Sequence, residues 1–233
     1  MQIRVAKSKD ELEGIYRFRY EVYVEEMARA LIEADPDTLR IVDPLDATGI
    51  QIYAENKGEV IGVCRLNLLR DTELPRHLAE GLQLGRFEPW LPHHCSYSSR
   101  LMVRRTERGA AIAALLIRSM YTITRERSMQ FHFLYCREQL LRFYERTGCR
   151  RYAPAFVDHN GTTGIPVVGV LEDVDYLMEI GSALGRIGRE FHNRPEAANW
   201  FQETIINPQQ IRATASRRIV RMTSLPKDLQ AEP

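Results

Sequence analysis

The stretch CSYSSRLMVRRTERGAAIAALLIRSMYTITRER, residues 95–127, decides the reading of the fold. Its first nine residues are strand-like. A basic turn follows, and small residues then open a run in which Ile112, Leu115, Leu116, Met120 and Ile123 share one helical face. A strand that enters a helix through such a turn leaves free backbone N–H groups at the helix start. Arg104, Arg105 and Arg108 add positive charge there, and Gly109, Ala110 and Ala111 let a ligand approach the backbone. The turn is therefore a candidate phosphate site; a solvated turn is the plain alternative.

The flanking segments alternate between β and α character. Residues 3–6 read as a short strand. The stretch SKDELEGIYRFRYEVYVEEM reads as a helix capped by Ser8 or Asp10, with Leu12, Ile15, Tyr16, Val22 and Tyr23 as its apolar stripe. Residues 49–69 read as a hairpin turning around Asn56-Lys57-Gly58. After the 110–127 helix come a strand FHFLY, a helix CREQLLRFYERTG stopped by Gly148, and strands RRYAPAFV and GIPVVGVL. Residues 173–206 are helical in character, with breaks near Gly181–Gly188 and at Pro195, and the tail from Ile206 is expected to be mobile. This gives an α/β core over residues 1–175 and a helical extension over 176–233 packed on the same domain.

The chain has 233 residues, 44% hydrophobic and 27% charged, which excludes wholesale disorder. No apolar run is long enough for a membrane span, and the N-terminus has no signal-like apolar stretch, so a cytoplasmic protein is expected. The four cysteines have no CxxC spacing and read as reduced, buried thiols. Adjacent His93 and His94 point to opposite sides of an extended chain and make a poor metal pair, so no metal is expected. The net charge of +1 hides an asymmetry: residues 1–50 carry eleven acids and seven bases, whereas residues 100–151 carry twelve arginines and four glutamates. Arginine of this density suits an anionic partner. The stretch lacks the aromatic interleaving and motifs of nucleic-acid binders, so no nucleic-acid partner is expected.

Three placements resist a purely structural reading. Arg19 falls on the apolar stripe of the first helix, where a guanidinium needs an anionic partner or must reach the rim. Asp43 and Asp46, in VDPLD, could serve a turn, neutralise Arg19 or hold an ammonium group. Arg65 interrupts an apolar strand, on the alternation face of Ile61 and Val63.

The order of these segments resembles the GNAT acyltransferase superfamily. Thr106-Glu107-Arg108-Gly109-Ala110-Ala111 is similar to the family's acyl-donor loop at Gly109 and Ala111, with Thr106 replacing its first Arg or Gln. Tyr144 and Gly148 keep a second family spacing, although Arg137 and Cys149 replace its Asn and Phe. The run YRFRYEVYVEEM, then VDPLD, VIGVCRL, Phe87 and SSRLMV resembles the branch using fatty acyl donors: acyl-homoserine-lactone synthases and N-acyl amino acid synthases. The GIPVVGVLEDVDYL region, and the lack of Trp between Met27 and Asp43, favour the latter.

The resemblance implies a GNAT-like mixed, mostly antiparallel sheet flanked by helices. It implies an N-acyltransferase with no permanent cofactor, taking an acyl-phosphopantetheine co-substrate on acyl carrier protein or coenzyme A and a small amine acceptor. Arg19, Tyr23, Asp43, Asp46, Arg65, Phe87 and Ser99 would surround the acceptor; Tyr97, Arg100 and Tyr144 would serve the chemistry. Leu101, Met102, Val103, Arg104, Arg108, Gly109 and Ala111 would hold the donor. Lactone synthases have a Glu where this chain has Tyr97, which leaves Glu21, Glu25, Asp43, a water or a Tyr97 relay as proton acceptor. A lactone synthase using S-adenosylmethionine and a degenerate acyl-carrier-binding module are the alternatives.

Overall fold

The computed structural model describes residues 1–107 and 110–207. The chain runs β1 (Gln2–Val5), α1 (Lys9–Tyr20), β2 (Ala34–Asp35), β3 (Arg40–Ile41), β4 (Ile50–Asn56), β5 (Glu59–Leu68), α2 (Arg76–Gly81), β6 (Cys95–Val103) and α3 (Ala110–Glu126). It continues with β7 (Phe131–Cys136), α4 (Glu138–Thr147), β8 (Cys149–Arg151), β9 (Phe156–Val157), β10 (Thr163–Val170), α5 (Val174–Glu179), α6 (Ala183–Gly188) and α7 (Glu196–Phe201). The tail foreseen as mobile lies, from residue 208, outside the described residues.

The main sheet has the order β1-β4-β5-β6-β7-β10-β8, with β9 on β10, and every pair is antiparallel except β6–β7. Lys57 and Gly58 both take positive φ and make the two-residue turn of the β4–β5 hairpin, so the pairing starts at Asn56 and Glu59. Ser8, not Asp10, caps α1: its hydroxyl accepts the Glu11 N–H and the Glu11 carboxylate accepts the Ser8 N–H. The helix then widens into a π-turn over Glu21–Glu26, so the single long helix expected from the sequence changes its winding at Tyr20.

The two faces of the sheet carry separate cores. On the front, Ile15, Phe18 and Val22 pack on Tyr53, Val63 and Met102. Beside them, Phe87, Phe131 and Phe133 pack with Phe201 of α7, which ties the C-terminal helices to the sheet. On the back, α3 and α4 cover Cys64, Leu66, Leu134 and Val167. Ile112 and Leu116 come so close to β5 that a Cβ on Gly62 would lie 3.1 and 3.3 Å from them.

Two expectations need correction. Ile61 does not share a face with Arg65: Glu55 pairs with Val60 and Ala54 with Gly62, so Ile61 is an extra residue in a bulge and joins the back core. The break expected near Gly181–Gly188 is confined to its start: Gly181, at φ +69, separates α5 from α6, whereas Gly185 and Gly188 lie within α6, because both let it pack against Leu177, Met178 and Tyr121.

Gly148 ends α4 with φ +108, and a Cβ there would meet Leu177. Gly148→Ala is therefore expected to destabilise the protein by about 2 kcal/mol or more in urea unfolding.

Candidate active site

Parallel pairing between β6 and β7 lasts for only three residues, Cys95–Tyr97 against Phe131–Phe133. Beyond Tyr97 the strands diverge, and a cleft of about 780 Å³ opens between Ser98–Val103 and Leu134–Arg137. The cleft is thus lined from both faces of the sheet, by Tyr23, Asp43 and Arg65 on the front and Leu134, Phe143 and Tyr144 on the back.

The local chain geometry of β6 determines what the front mouth contains. Between Val63↔Met102 and Arg65↔Ser99 the ladder slips, and Arg100 takes φ +58. A bulge with a left-handed residue lets two consecutive side chains, Ser99 and Arg100, reach the same set of partners. Strain of this kind in a non-glycine residue persists only where surrounding contacts enforce it. Here Asp43 supplies them: its Oδ2 accepts from Arg100 Nη2 at 2.7 Å and its Oδ1 from Arg65 Nη1 at 2.6 Å. Arg65 Nε also donates to Ser99 Oγ at 3.1 Å.

Behind this layer lies a second. Arg65 Nη1 reaches Asp46 Oδ1 at 2.8 Å, and Asp46 takes Arg19 Nη1 on both oxygens at 2.9 Å. Gln51 closes the group, accepting from Arg19 at 2.6 Å and donating to Asp46 at 2.9 Å. Arg19 has no solvent exposure at all. The charges alternate from Arg19 through Asp46, Arg65 and Asp43 to Arg100, and then to Glu33 at 3.5 Å. Glu33 in turn lies 2.6 Å from His159. The Asp43-Pro44-Leu45-Asp46 turn presents both aspartates together, because each caps the other's backbone region in a one-turn 3₁₀ helix.

Burial alone would raise the Asp43 carboxyl, but Arg65 and Arg100 override it and hold it at about 2, below the ordinary 3.8. Burial pushes the hydroxyls of Tyr97 and Tyr144 far up, so both keep their protons at neutral pH.

Of the residues singled out from the sequence, Tyr23, Asp43, Arg65, Tyr97, Ser99, Arg100, Leu101, Met102, Val103 and Tyr144 line the cleft. Arg19 and Asp46 stand behind its wall and hold Arg65. Phe87 sits in the front aromatic core, edge-on to Phe133 at 4.7 Å, away from the cleft. Arg104 is engaged by Glu59 at 2.7 Å and Glu21 at 3.1 Å rather than left open for a phosphate. Ala111 is exposed and outside the lining; Arg108 and Gly109 lie outside the described residues. Glu25 is exposed and Glu21 is paired with Arg104, so neither faces the cleft as a proton acceptor.

Sequence reasoning missed Gln51, Glu33 and a hydrogen-bonded group of buried Ser96 and His132 with half-buried Ser98. Gln51 had a signal: it stands in the β4 alternation directly opposite Arg65. Glu33 had none, because it reaches the cleft through a loop.

The family model described as "FeeM: N-acyl amino acid synthase FeeM" matches residues 14–171. No curated protein sequence matches the chain significantly. Among solved structures, FeeM, an N-acyl amino acid synthase from uncultured soil microbes, superposes with a TM-score of 0.63 at 13% identity, over 80% of this chain and 97% of that one. BjaI, a CoA-dependent acyl-homoserine lactone synthase solved with SAM and isopentyl-CoA, gives 0.59 at 18% identity, over 78% and 92%. A putative N-acetyltransferase from Lactobacillus plantarum gives 0.53 at 20% identity, over 73% and 97%. At these identities the structural likeness establishes a shared GNAT-like fold.

Two outcomes are expected. Arg19→Ala leaves buried Asp46 with Arg65 and Gln51 alone, opens a cavity where the guanidinium stood, and should cost about 3 kcal/mol of stability in denaturant unfolding. Because its carboxyl titrates lower when folded, Asp43 contributes about 2 kcal/mol above the unfolded value near 3.8, lost as pH falls through about 2. Unfolding of Asp43→Asn should lack that part of the wild-type loss between pH 6 and pH 2.5.

Proposed function

The chain belongs to the FeeM N-acyl amino acid synthase family, and we propose that it moves a fatty acyl group from acyl carrier protein to the amine of an amino acid. As an N-acyltransferase it joins an acyl group to an amine; the carrier protein and the amino acid are the proposal. The observation that carries it is the two-sided cleft. Its front mouth holds the charged Asp43, Arg65 and Arg100, and its back wall is built from Leu101, Ala113, Leu134 and Phe143. A small zwitterion suits the first and a fatty chain the second.

In this reading the thioester lies along β6 past Tyr97, where pairing with β7 has ended and the strand backbone can polarise the carbonyl. Asp43 stays ionised and orients the acceptor's amino group, while Arg65 and Arg100 provide N–H groups for its carboxylate. The neutral amine attacks, the C–N bond forms and the C–S bond breaks. Tyr144, a protonated hydroxyl in the cleft lining, donates to the sulfur as the C–S bond breaks. The proton released by the amine passes to water, and Tyr144 regains one from the same pool. Tyr97 holds its proton too firmly, and Asp43 too weakly, to serve as the base.

The donor assignment draws on charge and on the family branch. Within residues 100–151, Arg100, Arg104, Arg125 and Arg150 are paired with carboxylates. Arg118, Arg137, Arg142, Arg146 and Arg151 are exposed and suit an anionic donor, carrier protein and coenzyme A alike; the family branch is what favours the carrier protein. A second reading, a lactone synthase taking S-adenosylmethionine, draws on Glu33 and Asp43, two cleft carboxylates that suit a sulfonium cation.

Mass spectrometry of the full chain with long-chain acyl carrier protein, the twenty amino acids and S-adenosylmethionine is expected to reveal an N-acyl amino acid. A lactone product would move the protein to the second reading. Tight carrier binding without turnover would make it a binding module, and neither product nor binding would redirect the donor to acyl-coenzyme A. Tyr144→Phe should lower kcat about 10- to 100-fold with little change in donor KM. Log kcat/KM should rise with pH until the acceptor amine's own pKa, with no break contributed by Asp43.

A further inference from the structure

The proton that leaves the acceptor amine through water needs a side chain to receive it. The cleft lining supplies three carboxylates, Glu33, Asp43 and Asp158, and two imidazoles, His77 and His159. The carboxylates are committed. Despite burial, Arg65 and Arg100 hold Asp43 at about 2. Asp158 Oδ1 accepts the N–H groups of Asn160 and Thr162 at 3.0 and 2.8 Å, and its Oδ2 accepts the Tyr135 hydroxyl at 3.0 Å. Glu33 Oε1 lies 3.5 Å from Arg100 Nη2 and 2.6 Å from His159 Nε2. Burial would raise the Glu33 carboxyl, but the His159 hydrogen bond and the Arg100 charge hold it below the usual range.

Of the two imidazoles, which meet edge to face at 5.3 Å, His159 is the one with a carboxylate on its ring. An ionised carboxylate has no proton to give, so the hydrogen between Glu33 and Nε2 is the imidazole's own. Asn160 Nδ2 lies 2.9 Å from the same nitrogen, and Asn160 Oδ1 accepts the Ile32 N–H at 3.3 Å, which ties this loop to the one carrying Glu33. In the neutral ring Nδ1 is then the lone pair that can take a proton, and Glu33 faces the imidazolium that results. The other ionisable groups around the ring are His77 from α2, Asp158 and its partner Tyr135, Arg100 beyond Glu33, and Arg29, whose Nη2 donates to Thr162 at 3.0 Å.

His159 stands where the released proton arrives. Glu33 Oε1 and Asp43 Oδ2 both contact Arg100 Nη2, at 3.5 and 2.7 Å. The imidazole is thus one carboxylate beyond the guanidinium offered to the acceptor, beside the aspartate that orients the amino group. Its side chain is 40% exposed, so a proton taken there can leave to solvent and free the ring for the next turnover.

The geometry points to His159 as the proton acceptor of the transfer step, with Glu33 as the positioning residue that holds its ring and balances its charge. This rests on reading the cleft as an acyl-transfer site. As the C–N bond forms, the nitrogen's proton moves through water to His159 Nδ1, and the imidazolium then releases it to solvent. Tyr144 separately protonates the sulfur and is refilled from solvent. One proton leaves nitrogen and one reaches sulfur in each turnover.

The test measures the pH dependence of kcat/KM for the amino acid that wild type acylates, with long-chain acyl carrier protein, or the coenzyme A thioester if that is the donor used, at saturation. When amine and imidazole must both be unprotonated, log kcat/KM climbs with a slope of 2 in acid and a slope of 1 nearer neutrality. His159→Gln should have a slope of 1 throughout and a kcat about 10- to 100-fold lower at neutral pH, with donor KM little changed. Added imidazole should restore part of the activity of His159→Gly, which a merely structural role would not allow. His77→Gln should keep the steep acid limb. A wild-type slope of 1 throughout, a slope of 2 retained in His159→Gln, or no rescue of His159→Gly overturns the inference while leaving acyl transfer intact. Absence of any transfer by wild type from both donors would instead remove the proposed function on which it rests.

Discussion

The structure of the site depends on one buried chain of alternating charge: Arg19, Asp46, Arg65, Asp43, Arg100. No member is stable alone in the interior, since an unpaired guanidinium or carboxylate there costs several kcal/mol. Together they connect α1, the 43–46 turn, β5 and β6. Each ion is held from two sides, and only the outer end reaches the cleft. The inner arginine and aspartate therefore position Arg65 without meeting a ligand. A substrate meets charges whose orientation is already determined, which is what preorganised electrostatic recognition requires.

The same chain explains an otherwise costly feature of the backbone. Arg100 holds a left-handed conformation that suits glycine far better. Asp43 compensates by drawing both Arg65 and Arg100 to one carboxylate. The bulge this creates lies just past the point where β6 leaves β7. Cleft, bulge and ion chain are thus one construction, in which parting strands open the space and the bulge turns two adjacent side chains into it.

Front and back of the sheet then do different work. The front mouth is polar and charged. The back is largely apolar and includes the hydrogen-bonded Ser96–His132–Ser98 file. A polar group in an apolar wall is tolerated only when fully bonded, and the file satisfies its members while leaving one oxygen facing the cleft.

Much of this was legible in the sequence, for local reasons. Turn residues, the Ser8 cap, the 112–123 stripe and the Gly148 stop are written in adjacent residues. Arg19 and Arg65 announced themselves by breaking apolar patterns, because a charge in such a place requires a partner. The partners were not legible. Asp46 lies 27 residues from Arg19, and Asp43 lies 57 from Arg100. Phe87 shares the order of the site residues yet packs into the aromatic core, since chain order carries no direction for a side chain. The bulge at Ile61 reversed a face that strict alternation had assigned. By itself, then, the sequence determined the element order, the caps and the residues that could not stand alone. Only the tertiary structure decided which opposite charges meet, where β6 and β7 part and which residues share the Ser–His–Ser file, because these depend on contacts between elements that no local pattern encodes.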